Sequence, residues 1–297
     1  MGWFVRRRKA LRARARRAAL LLMLLPVITA GSANAAPEGR QGGGASVVFI
    51  NVGKADSVLL RVDNKAFLID AGGKASAPAL LAALSAMGVE RIDGLFLTHT
   101  HSDHIGGVKA LVGAVPVERL YFAGISLPNA KGEHKLRKLA EKHNLPYTQL
   151  KAGDRVEAGG NAAFTVLGPL VLDEEDDNDN SLVLSIALNG RVFLFTGDMQ
   201  FPEEATLLES GTDVTAHVLK VGNHGNPDAT SIRFAAAVSP EYAVISTDTE
   251  EAPHSVNDIV IANLFPARVF VTEGYALGIR MDISGEGRIS VSELLEP

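Results

Sequence analysis

Three histidines and one aspartate fall within six consecutive positions about a third of the way along the chain. They are His99, His101, Asp103 and His104, in the segment HTHSDH. Neutral imidazoles and carboxylates are the ligands that zinc prefers in catalytic sites, where one coordination position stays open for water. The apolar run GLFLT before them predicts a buried strand, whose end would hold the ligands rigidly. We therefore predict a metal centre here rather than a polar turn without metal.

Such a centre would supply a nucleophile that the sequence otherwise lacks. A metal ion lowers the pKa of a bound water toward neutrality, so that hydroxide becomes available to attack a substrate. The chain has no cysteine, which excludes thiolate ligands, a thiolate nucleophile and disulfides. The fold must therefore be stable on its core, and the chemistry we expect is metal-dependent hydrolysis.

The elements that would position this centre are short strands alternating with helices. The β-type runs SVLLRV and KAFLIDA predict a hairpin that turns at Asp63-Asn64, and a second hairpin is predicted at Asn189-Gly190. Helical spacing of apolar residues predicts helices over 78–88 and 134–144. Two β-rich halves with interspersed helices predict a layered α/β sandwich. No domain boundary is evident after residue 46.

The N-terminal segment differs sharply from the rest of the chain. Residues 1–35 contain eight Lys and Arg but no Asp or Glu, followed by an apolar run and the small-residue motif Ala33-Asn34-Ala35. This pattern predicts a signal peptide over residues 1–35, with an uncleaved membrane anchor as the alternative. We expect a flexible linker over 36–46, a hydrolase domain over 47–297 and a periplasmic or secreted location with no stable membrane span after cleavage.

Removal of the basic segment would leave 21 Lys and Arg against 34 Asp and Glu, a formal charge of −13. An acidic surface repels polyanions at long range. This charge disfavours long nucleic acid as a partner and favours a small molecule or a short phosphodiester. The sequence makes no prediction about oligomeric state.

The pattern H-x-H-x-D-H after a strand resembles the signature of the metallo-β-lactamase superfamily. The flanking segments resemble one branch of it, the hydrolase domain of ComEC-type DNA-uptake (competence) proteins, over about residues 47–290. The segments that carry this resemblance are NVGKADSVLLRV with FLIDAGG, NDNSLVLSIALNGRVFLFTGDM, VLKVGNHGN and AVISTDTEEAPHS. The resemblance implies a four-layer αββα sandwich.

The resemblance also implies roles for individual residues. His99 and His101 would bind one divalent metal ion, Asp103 and His104 a second, and Asp198 would bridge both. Asp103 would in addition orient the attacking water. His254 resembles the last ligand of the family, and Asp70, Asp56 and Asn180 would support the ligands from behind. His224 matches a motif histidine and would take part in catalysis, although a solvated loop residue is the simpler alternative for both His224 and His254.

Other histidines have simpler explanations. His217 lies within a predicted strand and is expected to be packed there. His134 and His143 lie on or near a charged helix and are expected to be solvated.

The sequence departs from the superfamily pattern at the first metal site, because no histidine lies between residues 144 and 216. The polar residues best placed to replace it are Asp177, Asp179 and Asn180 in the stretch DEEDDNDN, which otherwise reads as an acidic surface loop. An oxygen ligand would make manganese plausible beside zinc, the metal we expect.

Two turns also depart from the branch pattern. Gly53-Lys54-Ala55-Asp56 has alanine where the branch has glycine, and alanine resists a positive φ angle. Asn223 replaces the first histidine of a His-His-Gly motif, so one candidate acid or ligand is missing.

Three functions remain open at this point. The first is hydrolysis of a phosphodiester, whose charged oxygens a metal pair would neutralise. The second is hydrolysis of a lactam, lactone or thioester by the same activated hydroxide. The third is a degenerate, non-catalytic metal-binding module, which the loss of a histidine at Asn223 motivates.

Overall fold

A computed structural model of the chain describes residues 44–123 and 130–296. The predicted signal peptide and most of the predicted linker therefore lie outside the described residues. Within the described part, the strands are β1 (Ala45–Ile50), β2 (Val58–Val62), β3 (Lys65–Ile69), β4 (Gly94–Leu97), β5 (Leu120–Phe122), β6 (Tyr147–Gln149), β7 (Arg155–Gly159), β8 (Ala162–Gly168), β9 (Val183–Leu188), β10 (Arg191–Phe195), β11 (Val218–Lys220), β12 (Tyr242–Ile245), β13 (Arg268–Val271), β14 (Gly278–Ile283) and β15 (Ile289–Leu294). The α-helices there are α1 (Ala77–Ala86), α2 (Ser102–Ile105), α3 (Val108–Ala114), α4 (Ala130–Lys142), α5 (Phe201–Glu209), α6 (Ile232–Val238) and α7 (Asp258–Asn263).

The strands form two sheets. The first has the order β15-β14-β1-β2-β3-β4-β5-β6, and the second has the order β13-β12-β11-β10-β9-β8-β7. In the first sheet β3 to β6 run parallel, and in the second β10 to β13 run parallel. Loops that follow parallel neighbouring strands emerge at the same edge of a sheet, which is where such sheets build their sites.

The sheets pack face to face, with helices on their outer sides. Side chains alternate between the two faces of a strand. In β1, Val47 and Phe49 belong to the core between the sheets, which also contains Phe193 and Phe195 of β10. Residues on the opposite face of the first sheet pack against α1, α3 and α4, and the second sheet packs against α5, α6 and α7. The predicted four-layer αββα sandwich is confirmed.

Most predicted elements agree with the structure, including the hairpins that turn at Asp63-Asn64 and Asn189-Gly190. The short strands β6 and β7 were not predicted, and α4 begins at Ala130 rather than at residue 134. The first strand begins at Ala45, because Ala45 and Ser46 of the predicted linker pair with β14. Among the described residues, no helix is long and apolar enough to cross a membrane.

One buried acid of the outer helical layer is not part of the predicted site. Glu203 in α5 is only 4% exposed, and its Oε1 accepts a hydrogen bond of 2.9 Å from the backbone N–H of Leu170. Burial, together with the nearby charge of Asp179, raises the pKa of Glu203 to about 7.

Because the folded-state pKa of Glu203 lies above its usual value of 4.5, the folded state favours the protonated acid. The stability that this proton contributes is complete below pH ~4.5 and is lost as the pH rises through about 7. We expect Glu203→Gln to stabilise the protein at pH 8 by about 1–3 kcal/mol and to change little at pH 4.5. Urea unfolding at both values measures this. The exposed Glu209→Gln on the same helix should shift neither curve, and equal effects of Glu203→Gln at both pH values would contradict the prediction.

Candidate metal centre

Two carboxylates and two imidazoles meet at the edge where the two sheets carry their parallel strand ends. The side chains belong to Asp103, His104, Asp198 and His224, and one ligand atom from each lies within 4.8 Å of all the others. The Oδ2 of Asp198 lies 3.2 Å from the Nε2 of His104 and 3.2 Å from the Nε2 of His224. The Oδ2 of Asp103 lies 3.4 Å from the Nε2 of His224.

These four residues follow three different strands. Asp103 and His104 lie in α2, which follows β4 of the first sheet. Asp198 follows β10 and His224 follows β11, both in the second sheet. The loops are short, so the strand ends determine where the side chains lie.

The atoms that converge at this point have unsatisfied hydrogen-bonding capacity. The Nε2 atoms of His104 and His224 and the Oδ1 of Asp198 are buried, and none has a hydrogen-bond partner among the described residues. A buried polar atom without a partner costs about 1–3 kcal/mol. A divalent cation would satisfy all of these atoms at once, so the donor set fits a metal ion.

The opposite nitrogen of each imidazole has a partner that orients the ring. The Nδ1 of His104 lies 2.8 Å from the Oδ2 of Asp70, and the Nδ1 of His224 lies 2.8 Å from the backbone oxygen of Ser246. When Nδ1–H donates to an oxygen, Nε2 is left free to coordinate a metal ion. Both rings therefore present Nε2 to the centre.

Asp70 is held in place as firmly as the histidine that it orients. Its Oδ1 accepts from the backbone N–H of Thr98 and its Oδ2 from the Thr98 hydroxyl, each at 2.8 Å. It follows β3 directly and has a φ of 59°, a left-handed conformation that is uncommon outside glycine. The placement agrees with the supporting role predicted for Asp70.

The electrostatics of the site rest on burial and on pairs of opposite charge. Burial lowers the pKa of His99 well below its usual value, and the charge of His104 adds to this effect. Burial opposes protonation of His104, but Asp198 and Asp70 hold its pKa well above its usual value. Burial likewise opposes ionisation of Asp198, yet His224 and His104 keep its pKa well below its usual value. The lowered pKa favours the neutral imidazole of His99, whereas the carboxylates around His104 supply the negative charge that a bound cation would neutralise.

The other two predicted histidine ligands lie beside this group. The ring centroid of His99 is 4.1 Å from that of His104 and 4.6 Å from that of His101. The Nε2 of His99 is buried and has no hydrogen-bond partner in the part of the chain that the structure describes. The side chain of His101 is 39% exposed, and its Nε2 lies 3.8 Å from the Oδ2 of Asp177.

The acidic stretch over 173–180 is only partly a surface loop. Glu174 and Glu175 are exposed, whereas Asp177, Asp179 and Asn180 are buried. The side chain of Asn180 bonds to backbone atoms of residues 173 and 176, so it braces the loop and does not reach the centre.

Sequence reasoning missed a buried lysine beneath the centre. Lys220 is 2% exposed, and its Nζ contacts Asp56, donates to the backbone oxygen of Gly197 at 2.8 Å and lies 3.8 Å from the Oδ1 of Asp198. Asp56 in turn lies 3.9 Å from the Nδ1 of His104. A charged residue inside the apolar run HVLKV was the available signal, since an unpaired lysine is almost never fully buried.

A second missed lysine belongs to one of the altered turns. The Nζ of Lys54 forms an ion pair with the Oδ2 of Asp103. The positive φ of this turn is at Gly53 and not at Ala55, so alanine is accommodated without strain.

The turn that carries His224 has an unusual backbone. Asn223 and His224 have φ angles of 41° and 55°, and asparagine is among the residues that tolerate this conformation. The side-chain amide of Asn223 donates to the Oδ1 of Asp228 at 2.9 Å. Asn223 therefore stabilises the turn that carries His224.

The structure does not bring His254 to the centre. Its side chain is exposed, and it is not among the grouped metal-ligand residues of the described chain. The Nδ1 of His217 accepts a 3.0 Å hydrogen bond from the backbone N–H of Val192, a structural role. His134 and His143 are exposed, as expected.

An αββα sandwich with a His/Asp cluster at the paired sheet edges defines a class of metal-binding, hydrolase-like proteins. The family model of the metallo-beta-lactamase superfamily matches residues 50–249. The chain belongs to this superfamily.

Individual relatives agree with this assignment. The chain is 34% identical to competence protein ComA of Neisseria gonorrhoeae, over 77% of this chain but only 32% of that protein, so it spans about a third of that relative's length. It is 28% identical to a hydroxyacylglutathione hydrolase of Aeromonas hydrophila, over 62% of this chain and 65% of that protein. The metallo-beta-lactamase fold protein YhfI of Bacillus subtilis superposes with a TM-score of 0.52 at 15% identity, covering 84% of this chain and 100% of YhfI.

The two predicted loop histidines, His224 and His254, give a direct test of the centre. We expect His224→Ala to lose at least one metal ion per chain after dialysis, because its Nε2 faces Asp198. His254→Ala should retain the wild-type metal content, because its side chain is exposed. Elemental analysis of both purified variants measures this, and equal metal loss in the two would show that the centre extends to the 254 loop.

Proposed function

We propose that the protein is a metal-dependent hydrolase that cleaves phosphodiester bonds in small or short substrates outside the cytoplasm. The metal dependence in this proposal rests on one observation. Buried Nε2 and carboxylate oxygen atoms without hydrogen-bond partners lie close together at one point. We infer two divalent ions, zinc or manganese, held by the residues of the 99–104 segment together with Asp198 and His224.

A groove beside the centre combines lysines with the apolar side chains of Ile105, Val108, Leu136 and Leu139, and its lysines favour a substrate with an anionic group. The groove has a volume of about 720 Å³ and is bordered by Thr100, His101 and Ser102. Its rim also carries four exposed lysines, Lys74, Lys109, Lys135 and Lys138. None of the four forms an ion pair with another described residue. They concentrate positive charge next to the site of an otherwise acidic chain, and such a patch attracts phosphate groups locally.

The residues at the site would have distinct roles in hydrolysis. Bound divalent ions would supply a hydroxide at neutral pH and neutralise charge on the substrate oxygens. Asp103, with a side chain that is 21% exposed, is the member of the group that a substrate can reach, and it would orient the attacking water. Lys54 pairs with Asp103 and would keep this carboxylate ionised. The groove lysines would hold the remainder of the substrate.

Hydrolysis of a thioester or another acyl bond is the second candidate. The similarity to a hydroxyacylglutathione hydrolase favours it. The lysines beside the site would bind a phosphodiester, and they would also bind the carboxylates of a glutathione thioester, so the assay below separates the two classes. A non-catalytic metal-binding module is the third candidate, and the missing histidine at Asn223, which instead donates a hydrogen bond to Asp228, is the observation behind it.

The substrate class has a direct assay. We expect the purified protein, loaded with manganese or zinc, to hydrolyse bis-p-nitrophenyl phosphate, and His104→Ala to be slower by at least 100-fold because a ligand and its orientation by Asp70 are lost. Nitrocefin and a glutathione thioester are the comparison substrates. Turnover of either of these without turnover of the phosphodiester would reject the proposal in favour of the acyl alternative.

Substrate binding in the groove has its own test. We expect Lys135→Glu combined with Lys138→Glu to raise KM for a short oligonucleotide at least 10-fold at low salt, with little change for bis-p-nitrophenyl phosphate, because only the longer substrate reaches the groove. The difference should shrink as salt rises, since exposed charges are screened. The control is Lys142→Glu, at the end of the same helix and outside the groove. An equal effect of the control would show that general charge, not the groove, is responsible.

A further inference from the structure

We propose that the preferred substrate is a phosphodiester that carries an aliphatic chain, and that the groove beside the centre holds this chain. The proposal rests on the proposed function for the reaction and adds the chemical class of the group next to the scissile phosphate. Hydrolysis would add one water across a P–O bond and give an alcohol and a phosphomonoester. The occupant that we assign to the groove is a single aliphatic chain.

The groove adjoins the segment that carries the predicted ligands. Thr100, His101 and Ser102 border it. Gly132, in the first turn of α4, packs so closely here that a Cβ atom on it would lie 2.7 Å from the Cβ of Thr100. The start of α4 therefore lies directly against the ligand segment. Leu139, which also lines the groove, is about two helical turns further along α4, a rise of about 10 Å.

The surface along this length is aliphatic. Val108 and Leu136 are 1% and 3% exposed and line the groove from the side of the core, whereas Ile105 and Leu139 are partly exposed. All four belong to or pack against the hydrophobic cluster on the outer face of the first sheet. The groove is thus a place where the helices leave part of that cluster uncovered. An aliphatic chain bound there would remove apolar surface of both partners from water.

The lysines of the rim suit the charged end of such a molecule. Lys135 and Lys138 belong to α4, Lys109 belongs to α3, and Lys74 lies before α1. Lysine stems can cover apolar surface while their ammonium groups stay in water. The groove therefore offers carbon along its length and positive charge at its edges. A phosphate attached to an aliphatic chain matches both properties.

A nucleotide would match only one of them. Proteins that bind single-stranded nucleic acid combine positive charge with aromatic side chains on which the bases stack. Among the described residues that line the groove there is no Phe, Tyr or Trp. A substrate that is anionic but lacks an apolar group would leave Ile105 and Leu139 in contact with water. The aliphatic lining therefore favours an alkyl chain over a nucleobase.

The test uses diesters of 4-nitrophenyl phosphate whose second group is methyl, butyl, octyl or 5′-thymidyl. All four release 4-nitrophenol when the P–O bond to the aryl group breaks, and the second group stays on the phosphomonoester. Full burial of one CH₂ group strengthens binding about 4-fold. Because a groove covers a chain only partly, we expect kcat/KM of the metal-loaded protein to rise about 2-fold for each added CH₂, below the critical micelle concentration. The octyl ester should exceed the thymidyl ester at least 10-fold.

A matched pair of variants connects this dependence to the groove. We expect Leu139→Gln to lower the gain from methyl to octyl at least 5-fold. Leu81→Gln should keep the wild-type gain, because Leu81 is a partly buried leucine packed against the same cluster but is not among the described residues that line the groove. Thermal melting by circular dichroism monitors folding. Should Leu139→Gln fail to fold, the wild-type series of esters decides alone.

A binding measurement separates this proposal from the proposed function. Octyl phosphate and methyl phosphate carry the same charged group, so a difference in their affinities reports the chain. We expect calorimetric titration of the wild-type protein to show at least 10-fold tighter binding of octyl phosphate. This preference without turnover of any diester would reject the proposed function and leave the groove assignment intact.

Three results would overturn the groove assignment. The first is turnover of the diesters with a kcat/KM that does not rise with chain length, which would leave the proposed function intact. The second is a thymidyl ester that is hydrolysed better than the octyl ester. The third is an undiminished gain from methyl to octyl in folded Leu139→Gln. In the absence of any turnover, equal affinities for octyl and methyl phosphate would overturn it as well.

Discussion

The structure depends on one constraint, which is that several carboxylates and imidazoles are buried where the two sheets meet. Burying such groups is costly unless they are paired or bind a metal ion. The chain reduces the cost by pairing: Asp70 with His104, Asp56 with Lys220, and Asp198 with both His104 and His224. Among the described residues, the buried atoms that lack a hydrogen-bond partner include the Nε2 atoms of His104 and His224 and the Oδ1 of Asp198, which belong to the grouped ligands. The arrangement is therefore that of a site whose donor atoms fit a cation.

The backbone supports this arrangement by placing polar residues just beyond apolar strands. β3, β4, β10 and β11 end within a few residues of Asp70, His99, Asp198 and His224 respectively. The strands themselves are buried and rigid, so side chains at their ends have little freedom. Left-handed backbone occurs at Asp70, which orients His104, and at His224, whose Nε2 faces Asp198. Unusual backbone geometry thus occurs where the chemistry requires it.

Local patterns predicted the strands, the helices and the ligands of 99–104, whereas the four-layer arrangement and the role of Asp198 were implied by the resemblance to the superfamily. Apolar alternation marks strands, and the density of ligands in 99–104 marks the centre. The short strands β6 and β7 have no clear alternation of apolar residues in their sequences. They form because they pair with β5 and β8, a contact that the local sequence does not reveal. Lys220 and Lys54 were missed because a single lysine carries no sign of its partner, which lies far away in sequence. His254 was predicted as a ligand for the opposite reason, because its segment resembles a family motif. That resemblance does not determine which way the loop directs the side chain, which is exposed.

The origin of the ligands in both sheets has a mechanical consequence. His104 belongs to the first sheet, whereas Asp198 and His224 belong to the second, and the chain has no disulfide to join them. An ion bound between these residues would act as a cross-link that the folded state has and the unfolded chain lacks. Metal binding would then raise the free energy of unfolding by an amount that grows with the logarithm of the free ion concentration. The concentration of available metal would therefore affect the stability of the two-sheet sandwich as well as the activity of the site.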